Sequence, residues 1–166
     1  MARMRQVPSM HQSSYRNLFS LFCVPTVLIG LAVGMDAREP RSLHALQELV
    51  NSLRGQLGID AIVSASIVPT NPLLVSVQPV DGGPATFQMA FEERFLTGLD
   101  EDDIKAIIAH ELGHVWIFTH HPYLQTEGLA NTVAMRAVPR ESLERVYSKL
   151  SERDGTKRDL ALFIGP

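Results

Sequence analysis

Hydrophobic and polar positions alternate with two different periods along this chain, and each change of period marks a new region. Between residues 43 and 57, apolar residues recur at spacings of three and four, as they do on one face of a helix. Ser42 before this stripe is a favourable capping residue, and Gly58 after it commonly ends helices. The pattern therefore predicts an amphipathic helix over this stretch.

Three runs of period two follow this helix, and turn-forming residues separate them. Their apolar positions are Ala61, Val63, Ala65 and Ile67 in the first run, Leu73, Val75 and Val77 in the second, and Phe87, Met89 and Phe91 in the third. Residues 69–72 and 81–84 are rich in Pro, Asn, Asp and Gly, which favour turns. We therefore expect an antiparallel meander of three strands with one apolar face packed on helices.

From Asp100 onward the apolar spacing is helical again. Asp100 is a favourable N-cap, and the acidic residues 101–103 lie where the helix dipole favours negative charge. His120, His121 and Pro122 are expected to end this helix. Two further helices are predicted, one from about residue 125 to residue 138 and one after Pro139.

The composition fits one globular domain and narrows the possible chemistry. The chain has 166 residues, of which 45% are hydrophobic and 20% charged. With a formal net charge of -3 it lacks a surplus of basic residues, so we expect no nucleic-acid partner. The single cysteine, Cys23, excludes an internal disulfide framework and a cysteine-based zinc site. A bound metal would therefore be held by His, Asp or Glu.

The N-terminal segment has the features of a targeting sequence. Arginines precede an almost uncharged run from Leu18 to Met35, which ends in small residues, as in a secretory signal cut after Gly34. The run is also about as long as the shortest membrane-spanning helices, and a buried core helix is a third alternative. We assign residues 1–37 to a signal peptide or membrane anchor and residues 38–166 to the folded domain. The protein is then expected to be secreted, periplasmic, or membrane-anchored with this domain outside the cytoplasm.

His110, Glu111 and His114 form the motif H-E-x-x-H within the predicted helix. Residues four apart lie one turn above each other on the same helix face, so both imidazoles can bind one zinc ion. Glu111 beside the first histidine can reach the water on the metal and act as general base. The flanking residues are apolar, and a glutamate is costly to bury there unless it is paired. Gly113 between the histidines is expected to leave room beside the metal.

Two residues are candidates for the third ligand of such a site, which usually has three protein ligands and one open position. Glu127 opens a predicted helix, and Asn131 on the same face could accept a hydrogen bond from a ligand histidine. His120 has the spacing of the longer pattern H-E-x-x-H-x-x-G-x-x-H, but Ile117 stands where that pattern has its turn-forming glycine. We favour Glu127, because without the glycine the helix is expected to continue and carry His120 away from the metal.

Other residues near the motif are weaker candidates. Tyr123 and His121 could stabilise an oxyanion, and a role in shaping the loop is an equally good interpretation. Arg136 could serve likewise, but solvent exposure is the better interpretation for an arginine there. The strand at residues 86–91 precedes the motif-bearing helix and is predicted to be the edge strand above the cleft, to which an extended peptide could add.

The stretch from residue 99 to residue 138 resembles the gluzincin metallopeptidases, especially the small relatives of the heat-shock and CAAX-processing endopeptidases. The acidic helix start and the H-E-x-x-H motif match the first part of their pattern, and Glu127 with Asn131 matches E-x-x-x-D with Asn for the usual Asp. The resemblance implies a zincin-like α+β fold, with a small antiparallel three-stranded sheet packed on an N-terminal helix, an active-site helix and a glutamate-bearing helix. It also implies hydrolysis of a peptide or protein substrate with one Zn²⁺ per chain, bound by His110, His114 and Glu127.

Two alternatives to a peptidase stay open on the sequence. The chain could be a secreted or membrane-anchored zinc-binding protein without turnover, or it could hydrolyse a non-peptide amide. The intact Glu111 argues against the first alternative, because a structural zinc site needs no base and usually closes with a fourth ligand.

Overall fold

The computed structural model describes residues 41–80 and 85–154 of the chain. Its elements are α1 (Leu43–Gln56), β1 (Ile62–Val68), β2 (Val75–Pro79), β3 (Thr86–Glu92), α2 (Glu93–Leu96), α3 (Glu101–His120), α4 (Glu127–Ala134) and α5 (Arg140–Asp154). The α+β class and the small three-stranded sheet packed on α1 and α3 are confirmed.

The predicted signal peptide or anchor, from Leu18 to Met35, lies outside the described residues, as does the boundary after residue 37. Within the two described ranges, no helix combines the length and the apolar character that crossing a membrane requires.

Both helix starts predicted from capping residues are confirmed. Ser42 Oγ accepts a hydrogen bond from the Ala45 backbone at 3.2 Å, at the start of α1. At the start of α3, Asp100 accepts from the Asp103 N–H at 2.8 Å, while Asp103 accepts from the Asp100 N–H at 3.1 Å. This reciprocal capping box satisfies two backbone donors and determines where the long helix begins.

The order of the strands differs from the predicted meander. β3 lies between the other two strands, parallel to β1 and antiparallel to β2. The prediction of an all-antiparallel meander with residues 86–91 at its edge was therefore wrong. β3 is the central strand, and β2 is the edge strand that packs beside α3.

The connection between β1 and β2 explains this order. Asn71 is only 9% exposed, and its Nδ2 donates to Ala90 O on β3 and to Ser76 Oγ on β2, each at 3.0 Å. Its Oδ1 accepts from the Leu73 N–H at 3.1 Å, and Leu74 then turns the chain with a positive φ of 64°. These contacts carry the chain past the end of β3, so β2 pairs on the far side.

The alternating pattern of the strands correctly identified the buried face of the sheet. Its buried positions are Val63, Val75, Phe87, Met89 and Phe91. α1 and α3 cover this face, and α3 also packs against α4 and α5. The long helix α3 is thus in contact with the sheet and with the two helices that follow it in the chain.

Candidate metal centre

His110 and His114 lie one turn apart on α3, and α4 brings a carboxylate to face them. Their Nε2 atoms are 3.2 Å apart. Glu127 Oε2 lies 3.2 Å from His110 Nε2, and Glu127 Oε1 lies 3.6 Å from His114 Nε2. Ligand-type atoms of the three residues all lie within 4.8 Å of one another, so they could hold one metal ion.

Gly113 allows α4 to come this close to α3. A Cβ atom on Gly113 would lie 2.3 Å from Ala130 O, far inside van der Waals contact. The space that the glycine frees is therefore filled by the backbone of α4, and the sequence-based prediction that it leaves room beside the metal was wrong. Thr126 Oγ1 caps α4 by accepting from the Leu129 N–H at 3.2 Å, and Glu127 is the first residue of that helix.

An amide oxygen contacts the outer nitrogen of each imidazole. His110 Nδ1 lies 2.8 Å from Asn131 Oδ1, and His114 Nδ1 lies 3.2 Å from Gln125 Oε1. Because an amide oxygen only accepts hydrogen bonds, we assign a proton to each Nδ1 and a lone pair to each Nε2. Two such lone pairs and a carboxylate facing one another are stabilised by a cation between them. Two imidazoles and one carboxylate are ligands that zinc accepts, so the residues fit the ion.

The charged state of Glu127 agrees with this arrangement. Close contacts with the imidazoles of His110 and then His114 hold the pKa of the Glu127 carboxyl far below its usual range, although partial burial opposes the shift. The lowered pKa favours the carboxylate form, which can serve as an anionic ligand.

Glu111 lies on the same helix as the two histidines and lines the same cleft. Burial is the largest influence on this carboxyl and raises its pKa above the usual range, while the nearby imidazoles of His110 and His114 oppose the rise. The backbone of Val77 on β2 also forms a hydrogen bond that lowers the pKa of Glu111. A carboxyl with a raised pKa binds a proton more readily than an ordinary glutamate, which suits a group that accepts a proton and releases it again.

A cleft of about 430 Å³ opens these residues to solvent. Beyond the polar group its walls are mainly apolar. Val75, Val77 and Phe118 line it from β2 and α3, and Leu143, Val146 and Leu150 line it from α5. A concave, largely apolar surface with a few convergent polar groups is typical of a ligand-binding site.

The edge of β2 with which no described strand pairs borders this cleft. Backbone hydrogen bonds of 2.8 and 2.9 Å join Leu74 and Val80, just beyond the two ends of β2, to β3. Since the bonding side alternates along an antiparallel pair, Val75, Val77 and Pro79 direct their backbone groups away from β3. Pro79 lacks an N–H, and proline within sheets is confined largely to edge strands.

The structure places the remaining candidates outside this group. His120 stacks on Trp116 with the ring centroids 4.4 Å apart, and His120 Nδ1 lies 2.9 Å from Trp116 O. The Tyr123 side chain is 98% exposed, and neither it nor His121 lines the cleft. The Arg136 guanidinium lies over the Trp116 ring, 5.2 Å from its centroid.

Gln125 and Tyr147 contact the candidate ligands and were not identified from the sequence. Tyr147 Oη lies 3.4 Å from Glu127 Oε2 and 3.1 Å from Asn131 Nδ2. Burial raises the pKa of the Tyr147 hydroxyl, which therefore stays protonated. In the sequence, Tyr147 belongs to the apolar face of a predicted helix. Buried tyrosine hydroxyls usually have a hydrogen-bond partner, so the hydroxyl was the only sign that Tyr147 contacts a polar group. Gln125 stands in a loop, without a pattern that links it to His114.

No protein-family model matches this chain, and no curated protein matches it. Among solved structures, the chain is similar to one described as the crystal structure of the metallopeptidase zymogen of Pyrococcus abyssi abylysin. The sequences are 16% identical, the match covers 69% of this chain and 99% of that chain, and the TM-score is 0.48. A likeness at this level says nothing about the function of this chain.

Proposed function

We propose that this chain is a zinc-dependent metallopeptidase of the gluzincin type. His110, His114 and Glu127 would bind the metal, and Glu111 would act as general base. The observation that carries the proposal is the convergence of three ligand-type side chains within 4.8 Å, in an open cleft that a half-buried glutamate of raised pKa also lines.

The donor set supports a catalytic rather than a structural zinc site. Three protein ligands leave a fourth coordination position open, whereas structural sites usually close with a fourth side chain. A zinc ion held here would supply a Lewis acid that polarises the scissile carbonyl and lowers the pKa of water. Asn131 and Gln125 would orient the two imidazoles, since each accepts an Nδ1 proton and leaves Nε2 for the metal.

Glu111 would move the protons of the reaction. Its carboxylate would accept a proton from the attacking water and then deliver it to the amine of the leaving group. Both steps require a group that is ionised at first and protonated afterwards, and the raised pKa of Glu111 favours such an exchange.

An extended peptide or protein segment is the substrate class that this cleft would accommodate. Val77 directs its backbone groups away from β3 on the cleft side, where its N–H hydrogen-bonds to Glu111. A peptide laid along β2 could therefore donate to the Val77 C=O. Side chains of such a strand alternate in direction, and those facing the cleft would meet apolar walls. The edge at which we expect peptide addition is therefore β2, and not residues 86–91 as predicted from the sequence.

Replacement of the proposed base tests this function. Glu111→Gln keeps the shape of the side chain but cannot accept a proton, so cleavage of fluorescently labelled casein should fall by at least about 10²-fold. Elemental analysis should still find about one zinc per chain, because Glu111 is not a ligand. Glu101→Gln on the exposed first turn of the same helix is the matched control and should cleave like wild type.

Each other outcome contradicts one part of the proposal. Normal cleavage by Glu111→Gln would exclude Glu111 as the base, and loss of zinc would show that this residue holds the metal. A wild-type protein that binds zinc and cleaves nothing would favour the zinc-binding protein without turnover.

A further inference from the structure

We propose that Tyr147 is a positioning residue of the metal centre. Its hydroxyl would hold Glu127 as the last link of a directed chain of hydrogen bonds that starts at His110. This inference rests on the proposed function, because it presupposes that His110 and Glu127 bind a metal ion.

The donor and acceptor roles of the groups define the direction of the chain. His110 Nδ1–H donates to Asn131 Oδ1 at 2.8 Å, and Asn131 Nδ2–H donates to Tyr147 Oη at 3.1 Å. The hydroxyl proton is then available for Glu127 Oε2, a carboxylate oxygen that only accepts, at 3.4 Å. Asn131 Oδ1 lies slightly farther from the hydroxyl, at 3.5 Å, and already accepts the His110 proton.

An amide at position 131 gives the chain this direction. Asn131 is fully buried, and its two ends serve opposite purposes, since the oxygen accepts from the imidazole and the nitrogen donates to the tyrosine. An aspartate there would have no proton to donate to Tyr147 and would compete with Glu127 for the hydroxyl proton. The neutral amide therefore leaves the hydroxyl proton of Tyr147 to Glu127.

Glu127 is the proposed ligand that most needs to be held. Its side chain is 46% exposed, whereas those of His110 and His114 are 15% and 22% exposed. A long exposed side chain loses rotamer freedom when it binds a metal, and this entropy loss weakens binding. Tyr147 is only 5% exposed and packs edge-on against the His110 ring, with centroids 5.8 Å apart. Its hydroxyl is thus a buried, packed group next to the most exposed of the three proposed ligands.

Ion pairs on either side of Tyr147 fix its position along α5. Arg145 and Lys149 stand two residues before and after it, and both pair with Asp103, which is fully buried on α3. These pairs hold α5 against the helix that carries His110. The position of the tyrosine hydroxyl is therefore coupled to that of the first histidine.

Removal of the hydroxyl tests the positioning role. Tyr147→Phe keeps the ring, and zinc affinity measured by chelator competition should fall about tenfold, at the lower end of the effects found for groups that orient metal ligands. The visible absorption spectrum of the cobalt-substituted protein should also change, because it reports the arrangement of the ligands. Thermal unfolding of the metal-free variant verifies that it folds.

Ser148→Ala is the matched control, since it removes a hydroxyl from the next residue of the same helix. That hydroxyl is exposed and donates to Glu144 O at 3.0 Å, so zinc affinity and the cobalt spectrum should stay as in wild type. If Tyr147→Phe lowers only the stability of the metal-free protein and leaves both metal readouts unchanged, the positioning role is refuted and Tyr147 is a core residue.

A second variant tests the direction of the hydrogen bonds. In an Asn131→Asp background the hydroxyl should turn towards the new carboxylate, so Tyr147→Phe should change zinc affinity much less than the tenfold expected otherwise. An equal effect in both backgrounds would overturn the directed chain. A wild-type protein that binds no zinc would overturn the proposed function itself. If wild type binds zinc and Tyr147→Phe binds it equally tightly, only the positioning role is overturned.

Discussion

The two edges of the sheet differ in how their backbone groups are satisfied. At the β1 edge, the side-chain amide of Gln47 replaces a neighbouring strand, donating to Val63 O at 3.0 Å and accepting from the Ala65 N–H at 2.7 Å. At the β2 edge, no described strand pairs with the ladder, and the Val77 N–H hydrogen-bonds to Glu111 beside the cleft. An unpaired strand edge can pair with other chains, so proteins usually cover such edges. Covering the β1 edge and leaving β2 without a neighbouring strand therefore favours peptide binding at β2.

The two sides of the molecule also differ in the chemistry of their contacts. Gln47, which closes the β1 edge, is neutral and does not titrate. The α5 wall of the cleft is held by ion pairs, since Arg145 and Lys149 meet Asp103 and Arg153 meets Glu92 at 2.9 Å. The cleft side should therefore respond to pH, whereas the closed edge should not.

The largest effect is expected where α3 meets α4 on the cleft side. Gly113→Ala would place a Cβ 2.3 Å from Ala130 O, so α4 must move and displace Glu127. The free energy of unfolding should fall by about 3 kcal/mol, as it does when extra atoms are forced into a packed core. Zinc binding should also be lost. Denaturant titration and chelator competition measure the two quantities.

Gly55→Ala is the matched control on α1, the helix that closes the other edge. No atom lies within 4 Å of a Cβ at Gly55, so stability should be unchanged or rise by up to about 1 kcal/mol. Normal stability and zinc affinity in Gly113→Ala would show that the helix contact is not what positions Glu127.

Proline at the two edges should affect activity differently. Val77→Pro removes the N–H that hydrogen-bonds to Glu111, so kcat/KM for a quenched fluorescent peptide should fall about tenfold with zinc still bound. Ala65→Pro removes the N–H that donates to Gln47 at 2.7 Å, so it should lower the free energy of unfolding by about 2 kcal/mol and leave kcat/KM unchanged. An unchanged kcat/KM in Val77→Pro would show that this hydrogen bond does not serve Glu111.

The smallest predicted effect is a loss of stability at acidic pH. Burial opposes ionisation of Asp103, but hydrogen bonds and charge from Lys149 and Arg145 outweigh it and hold the pKa below the ordinary value of 3.8. Ionised Asp103 therefore stabilises the fold fully above pH 3.8, and this contribution is lost as the pH falls through the lower folded pKa. Because both cations are partly exposed, we expect only about 1 kcal/mol.

Denaturant unfolding at a series of acidic pH values measures this contribution. Asp103→Asn should be less stable than wild type at neutral pH, and the difference should shrink in acid. A difference that stays constant with pH would mean that these ion pairs do not stabilise the α5 wall.

Rules that relate residues a few positions apart were sufficient to predict the helix that carries the motif. Asp100 and the acidic residues after it predicted the start of α3, and the capping box is present. The spacing of His110 and His114 predicted that they share one helix face, because helical geometry relates residues four apart whatever surrounds them. The missing glycine at Ile117 correctly indicated that this helix continues to His120.

Strand order could not be obtained in this way. Alternation in the sequence shows which face of a strand is buried, and the buried positions of β3 agree with it. It does not show which strand pairs with which, since this depended on Asn71 contacting Ala90, 19 residues later. The edge above the cleft was therefore assigned to the wrong strand.

The sequence by itself determined the periods, the caps and the motif, because each depends on residues only a few positions apart. Only the tertiary structure decided which strand edge is open, which backbone fills the space at Gly113, and that Gln125 and Tyr147 contact the histidines. These contacts join residues 11 to 37 positions apart, on elements whose approach is determined by packing of the whole core. A sequence pattern records which residues are apolar or polar, but the partner of each polar atom depends on where the chain brings it.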